Sequence, residues 1–229
     1  MANCSPPLDN LEAIKKSLKK RRYCKAIPVS AITKKLEGKE PVDIDKVKNY
    51  VVGFSDDGKC VNDLEILKYV LRKKILVLAH LEPETEVLKK YLNIYSKIGG
   101  HLHLQHISKK ESVELIRSAK KDGLKITCET CPHYFTYTAF DLDVKVNPPL
   151  GSEEDVLAIR RGLANGTIDV IASDYAPEPR LTGISGFRSF LPLCYGLVLQ
   201  GVLSEKQLKE KIFLNPKKII ANGNHNILL

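Results

Sequence analysis

The sequence lacks the features of a membrane protein, of a secreted protein and of a small domain stabilised by disulfides. It has no apolar run near the roughly 18 residues that a membrane span requires, and its polar start resembles no signal peptide. Six cysteines in 229 residues are too sparse for a small stapled domain. We therefore expect a cytoplasmic protein with reduced thiols and no membrane association.

Aromatic side chains are missing from the lysine-rich segments that carry the excess positive charge. The net charge of +9 comes mostly from lysines on amphipathic helical patterns, as in 12–22 and 206–211. A nucleic-acid groove would interleave basic with aromatic residues, so solvated helix faces explain this charge better. We expect no nucleic-acid partner.

What the sequence does contain is an alternation of short apolar runs with helical patterns. The runs rich in β-branched residues are Ala26–Ser30, Val51–Ser55, Ile75–His80, His103–His106, Ile126–Glu129 and Ile168–Asp174. The helical patterns are Leu11–Lys20, Asp63–Lys73, Thr85–Lys97, Ser112–Asp122, Glu153–Leu163 and the region from Phe190 to Ile220. Alternating strands and helices predict βα units and a parallel sheet.

Polar residues follow most of the predicted strands directly, which indicates a (β/α)₈ barrel of the TIM type. In such a barrel the strand ends meet at one face that carries the chemistry. Six strands are clear, and Met1–Cys4 could be the tip of a seventh, so the predicted α/β barrel is incomplete at its N-terminus. We expect a single domain over residues 1–229.

Five of these strand-end residues are candidate metal ligands or bases: Asp57, His80, His106, His133 and Asp174. Imidazoles with carboxylates suit Zn²⁺ or a similar divalent ion, which generates a hydroxide nucleophile at neutral pH. The pattern therefore predicts metal-assisted hydrolysis. For any single histidine, the alternative is an ordinary strand-end residue whose hydrogen bonds are satisfied.

One further pair, Cys128 and Cys131, has the spacing of a redox or zinc motif. No second pair accompanies it, and Cys128 lies within an apolar strand pattern. We therefore favour a structural interpretation of these two cysteines.

Several motifs resemble those of the dihydroorotases, a family of cyclic amidohydrolases in the amidohydrolase superfamily. The stretches that carry the resemblance are Met1–Asn10, Phe54–Gly58, Ala79–Glu82, His103–Ser108, Glu129–His133, Lys145–Leu150 and Asn165–Pro177. The most specific is Val-Asn-Pro-Pro-Leu at 146–150 followed by Asn-Gly-Thr-Ile-Asp-Val-Ile-Ala-Ser-Asp at 165–174. The resemblance spans nearly the whole chain.

The resemblance implies a metal-dependent enzyme that interconverts dihydroorotate and N-carbamoyl-aspartate in pyrimidine biosynthesis. It implies that His80 and His106 bind one zinc ion, that Asp57 can bridge two, and that Asp174 contacts metal and serves as general base. One or two zinc ions are therefore expected. A carboxylate suits this chemistry because it can accept a proton from water and return it.

Substrate contacts are expected at Asn3, Asn147, Glu178 and Gly186. Glu178 departs from the family pattern because it stands where the family has a substrate-binding histidine, and it would repel an anionic substrate. Tyr175 likewise replaces a family histidine.

The family's first-strand motif, His-x-His-x-Arg, has no counterpart before Met1. That motif supplies two ligands for the second zinc and an arginine for the substrate carboxylate. Its absence makes the second metal site doubtful, and we expect the chain as it stands to hydrolyse dihydroorotate at least about a hundredfold more slowly than a form that carries the motif.

Three functions remain open at this point. The first is a dihydroorotase-type enzyme whose recorded sequence has lost its first strand. The second is a non-catalytic homologue that serves as a scaffold for aspartate transcarbamoylase or associates with itself. The third is an allantoinase or hydantoinase, against which Asn147 argues because the Val-Asn-Pro-Pro form is typical of dihydroorotases.

Overall fold

The structure, a computed structural model, describes residues 7–19, 26–56, 58–176, 184 and 186–223. The chain divides into two compact units. Unit 1 comprises Met1–Glu82, Lys90–His103 and Lys217–Leu229, and unit 2 comprises Pro83–Lys89 and Leu104–Pro216. No helix within the described ranges is both long and apolar enough to cross a bilayer. The single domain over 1–229 stays a prediction.

Unit 1 contains a parallel ladder built from three of the predicted strands. Phe54 forms parallel bridges with Ser30 on one side and with Val77, in strand β1 (Leu76–Ala79), on the other. Strand β2 (His101–Leu104) follows β1 in the sheet. The runs around Ser30 and Phe54 form single bridges, and Pro28, which has no N–H to donate, limits the ladder on the Ser30 side.

Helices flank the strands of this ladder along the sequence of unit 1. They are α1 (Leu11–Leu18), α2 (Ile44–Val47), α3 (Leu64–Arg72) and most of α4 (Glu84–Ile98) and of α10 (Asn215–Gly223). Asn10 caps α1, since its side chain accepts from the Ala13 N–H at 3.0 Å, and Asp63 caps α3. The helices predicted at 11–20 and 63–73 are therefore confirmed over Leu11–Leu18 and Leu64–Arg72.

Unit 2 contains the second pair of complete strands. Strand β3 (Thr127–Thr130) pairs in parallel with β4 (Val170–Ile171), and Glu129 lies opposite Val170. β4 is shorter than the predicted run of 168–174, because the chain after Ile171 turns out of the ladder at Asp174, whose φ is positive. The helices are α5 (Lys110–Lys121), α6 (Pro132–Thr136), α7 (Glu153–Ala164), α8 (Phe187–Leu199) and α9 (Glu205–Lys209).

Helix α7 organises the packing of unit 2 because it contacts both α5 and α6. It begins at a capping box in which Ser152 and Asp155 satisfy one another's backbone N–H groups. Gly162, on α7, lies where an added Cβ would approach Val113 and Ile168 side-chain carbons at 3.0 and 3.1 Å. The helix can therefore pack this closely only with glycine at that position. Alternating helices and parallel strands in both units confirm the predicted α/β class.

Glu84 is a buried carboxylate that fixes the loop after His106 in unit 2. It accepts hydrogen bonds from the backbone N–H groups of Ser108 and Lys109, at 3.1 to 3.2 Å, and from the Ser108 hydroxyl at 2.5 Å. Burial raises the pKa of Glu84, and these hydrogen bonds oppose that effect. Sequence patterns gave no indication of this anchor.

We expect Glu84→Gln to lower the free energy of unfolding by about 1–2 kcal/mol, because the amide keeps only one acceptor oxygen and adds a donor beside backbone donors. Urea denaturation followed by circular dichroism measures the change. Glu86→Gln is the matched control, since Glu86 is exposed on the same helix, and we expect it to leave the midpoint unchanged. Equal effects of the two variants would show that the Glu84 hydrogen bonds are not stabilising.

Candidate active site

Two of the predicted site residues of unit 2 have an unusual backbone conformation. His106 has a φ of 36° and Asp174 a φ of 44°, both in the left-handed region that non-glycine residues rarely adopt. His106 follows the end of β2 by two residues, and Asp174 follows β4 by three. Lys35, Leu36 and Lys74 also have a positive φ, so this conformation by itself assigns no role to His106 or Asp174.

Hydrogen bonds to β3 hold these strained segments in place. The Ile107 N–H donates to the Glu129 carbonyl at 2.8 Å, and the Thr130 hydroxyl donates to the Ile107 carbonyl at the same distance. On the other side of β3, the Ala172 N–H donates to the Thr130 carbonyl at 2.9 Å. The backbone is thus fixed directly after His106 on one side of β3 and two residues before Asp174 on the other.

A cluster of three potential metal ligands lies at the end of β3. The Cys131 sulfur, a His133 ring nitrogen and an Asp174 carboxylate oxygen all lie within 4.8 Å of one another. Cys131 and His133 are buried and Asp174 is half-buried. Sulfur, imidazole and carboxylate together are a donor set that Zn²⁺ accepts.

His133 is buried, with 3% of its surface exposed. Its Nε2 atom is buried and has no hydrogen-bond partner among the described residues. Burial lowers the pKa of His133 to about 4, so the ring is neutral at pH 7. A neutral imidazole is the form that binds metal ions.

Tyr134 connects this cluster to the segment that contains Asn147. Its ring lies 4.1 Å from the His133 ring, and its hydroxyl donates to the Pro148 carbonyl at 2.6 Å. Burial raises the pKa of Tyr134, and the nearby charges of Cys131 and Asp174 add to that effect. Asn147, half-buried, is thereby held in the same unit as the cluster.

In unit 1 the candidate residues are His80 and the acidic turn after Phe54. His80 is buried directly after β1, and its Nε2 lies 3.3 Å from a carboxylate oxygen of Glu82. An open cleft of about 380 Å³ lies in the same unit. Its lining includes Glu37, Asp56, Lys59, Cys60 and Glu82.

The structure thus groups the predicted site residues by unit. Asp174 lies with His133, and Asn147, His106 and Gly186 also belong to unit 2, where Gly186 precedes the first turn of α8. His80 belongs to unit 1, so its joint ligation of zinc with His106 stays a prediction. Asn3, Asp57 and Glu178, like the seventh strand predicted at Met1–Cys4, lie outside the described residues.

Sequence reasoning missed Cys131 because it paired this cysteine with Cys128. The Cys128 thiol is fully buried in β3 and donates to the Thr167 carbonyl at 3.3 Å, and burial raises its pKa to about 12. That environment is inert, which agrees with the structural interpretation of Cys128. The feature of the sequence that could have identified Cys131 is its position two residues before His133, after the end of the same strand.

Comparison of the sequence with those of known proteins identifies dihydroorotases as relatives of this chain. No family model matches the chain. It is 31% identical over 277 residues to a dihydroorotase of Trichlorobacter lovleyi, and 35% identical over 274 residues to one of Acetivibrio thermocellus. The alignments cover 99% and 96% of this chain and 65% and 64% of the two relatives. The chain therefore spans slightly less than two thirds of their length.

Solved structures with the same fold include cyclic amidohydrolases. An L-hydantoinase (dihydropyrimidinase) from Arthrobacter aurescens superposes with a TM-score of 0.85, at 20% identity, over 96% of this chain and 62% of its own. The inactive dihydroorotase-like domain of a CAD-like multifunctional protein from Chaetomium thermophilum superposes with a TM-score of 0.70 at 22% identity. This superposition covers 93% of this chain and 66% of that domain's chain. These likenesses confirm the predicted amidohydrolase fold. Together with the relatives at 31–35% identity, they identify the chain as a homologue of the dihydroorotases.

Proposed function

We propose that this protein catalyses the dihydroorotase reaction, the reversible hydrolysis of the cyclic amide in dihydroorotate to N-carbamoyl-aspartate, as a cytoplasmic step of pyrimidine biosynthesis. The observation that carries the proposal is Asp174. It is a half-buried carboxylate, held in a left-handed conformation at the end of a parallel strand, within a motif shared with dihydroorotases.

The proposed ligands of the catalytic zinc are His80, His106, Asp57 and Asp174. His80 and His106 are buried imidazoles at strand ends, and buried imidazole with carboxylate is a donor set that fits zinc. A bound zinc ion would supply a water molecule of lowered pKa and would polarise the amide carbonyl. Whether one or two ions bind is part of the same proposal, to be decided by metal analysis.

The chain's own residues supply the proton transfer. The Asp174 carboxylate accepts a proton from the attacking water as the C–O bond forms, and it returns that proton to the amide nitrogen as the C–N bond breaks. Asn147 is proposed to hold the substrate through its side-chain amide, together with Asn3 and Gly186. Glu178, where the family has histidine, would weaken the binding of an anionic substrate.

The test is an assay of dihydroorotate opening and N-carbamoyl-aspartate closure, with hydantoin and allantoin as competing substrates. We expect turnover of dihydroorotate to exceed that of the other two by at least about tenfold. A preference for hydantoin or allantoin would replace the proposal by the corresponding amidohydrolase. Turnover of none of the three, with metal bound, would contradict catalysis altogether.

A second candidate is a non-catalytic scaffold for aspartate transcarbamoylase. It is favoured by Tyr175, the residue that follows Asp174. This side chain is 42% exposed and its ring packs edge-on against Phe187 at 6.1 Å, in a position where the family has an imidazole. Co-purification with the transcarbamoylase, together with the absence of turnover, would support this candidate.

A further inference from the structure

We propose that Cys131, His133 and Asp174 form a zinc site of their own within unit 2. This site differs from the proposed catalytic set because it uses the two donors at the end of β3 rather than His80 and His106. It shares only Asp174 with that set. Because Asp174 belongs to both sets, Cys131, His133 and His80, which each belong to one set only, are the residues whose variants separate the two proposals.

The distances allow closure of the site with small side-chain movements. Zinc binds sulfur at about 2.3 Å and nitrogen or oxygen at about 2.0–2.2 Å, so donors in a tetrahedral shell lie about 3.5 Å apart. The three donor atoms here lie within 4.8 Å of one another. Side-chain rotations that move each atom by about 1 Å or less would bring them into a tetrahedral arrangement.

The backbone that carries two of the ligands is held by local hydrogen bonds. Cys131 precedes the first turn of α6, and its carbonyl accepts from the Tyr134 N–H at 3.0 Å. His133 lies in that turn, and its carbonyl accepts from the Tyr137 N–H at 3.1 Å. A metal ion would therefore meet sulfur and imidazole that are already placed, which lowers the entropic cost of binding.

The buried Nε2 atom of His133 is the independent indication of a ligand. A buried polar atom without a hydrogen bond costs about 1–3 kcal/mol, so folded proteins rarely leave one unpaired. His133 Nε2 is buried and has no hydrogen-bond partner within the described part of the chain. Coordination of a cation through Nε2 would satisfy this atom.

The charge and softness of the donors select the kind of ion. A thiolate and a carboxylate with a neutral imidazole carry a total charge of −2, which balances a divalent cation. Mg²⁺ and Ca²⁺ prefer oxygen ligands, whereas thiolate with imidazole suits zinc. Because Asp174 is half-buried, a water molecule can complete a four-coordinate shell on its side.

Titration of the metal-free protein with Co²⁺, a spectroscopic substitute for zinc, tests the site. Thiolate ligation gives a sulfur-to-cobalt charge-transfer absorption in the near ultraviolet. We expect the wild type to show this absorption at one equivalent of Co²⁺. We expect Cys131→Ser to lose it and Cys128→Ser, the matched control three residues away, to retain it.

Variants of His133 and His80, which each belong to one set only, distinguish this site from zinc binding at the proposed catalytic ligands, and Asp174→Asn removes a residue common to both. We expect His133→Gln and Asp174→Asn each to weaken Zn²⁺ binding by at least about tenfold in calorimetry, and His80→Ala to leave the cobalt absorption unchanged. Asp174→Asn alters a half-buried position, so it tests the site even if a buried variant fails to fold. Absence of the absorption from the wild type, its persistence in Cys131→Ser, or its loss in His80→Ala would overturn the proposal.

Discussion

Asp174→Asn is expected to lower kcat/KM for dihydroorotate by about a thousandfold or more, the largest effect on activity that we predict. General acid–base catalysis by a positioned group contributes about 10²–10⁴ in rate, and this residue is proposed to act twice, first on water and then on the leaving nitrogen. An asparagine side chain fits the same space but cannot accept the proton. Steady-state assays in both directions measure the loss.

The control for this prediction is Asp143→Asn, an exposed carboxylate in the same unit, which we expect to leave kcat/KM unchanged. Zinc content is measured for each variant, because Asp174 is also a proposed ligand. A variant that keeps its zinc and still loses activity supports the role as a base. Full activity of Asp174→Asn would contradict the mechanism.

The fold class was largely predictable because its signals are local in the sequence. Apolar β-branched runs such as Ile75–His80 and amphipathic patterns such as Asp63–Lys73 indicate strand and helix by their periodicity, and β1 and α3 confirm both. Asn10, whose residue type is favoured at helix starts, caps α1 through a contact only three residues away. Strand ends were less predictable, since the left-handed turn at Asp174 depends on packing beyond the strand.

The candidate site was predictable only in part, because its donors come together through the fold. Asp174 and His133 were identified by their positions after strands, and the structure brings them together. Cys131 was considered only together with Cys128, since a short Cys-x-x-Cys spacing is visible in sequence whereas the approach of the β3 and β4 ends is not. Buried carboxylates such as Glu84 were missed for the same reason.

Asp56 provides the largest expected effect on stability. Its carboxylate accepts from the backbone N–H groups of Ile32 and Thr33, at 2.7 and 2.9 Å, and also from the Thr33 hydroxyl. All three residues are buried, so no water can replace these hydrogen bonds without local opening. Burial raises the pKa of Asp56, and the hydrogen bonds from Thr33 and Ile32 act against that rise.

We expect Asp56→Ala to lower the free energy of unfolding by about 3–4 kcal/mol, because each backbone N–H left unsatisfied in the interior costs about 1–3 kcal/mol. Asp56→Asn keeps one acceptor oxygen, so the decrease in its free energy of unfolding should be about half as large. Urea denaturation of the metal-free protein measures both, and Asp45→Ala is the control, since the ion pairs of Asp45 with Lys48 and Lys73 are solvent-exposed and contribute little. Because Asp56 precedes the proposed ligand Asp57, Asp56→Ala should also weaken zinc binding at the proposed catalytic site. If Asp56→Ala unfolded at the same urea concentration as Asp45→Ala, Asp56 would not be the residue that holds this turn against the 30–33 segment.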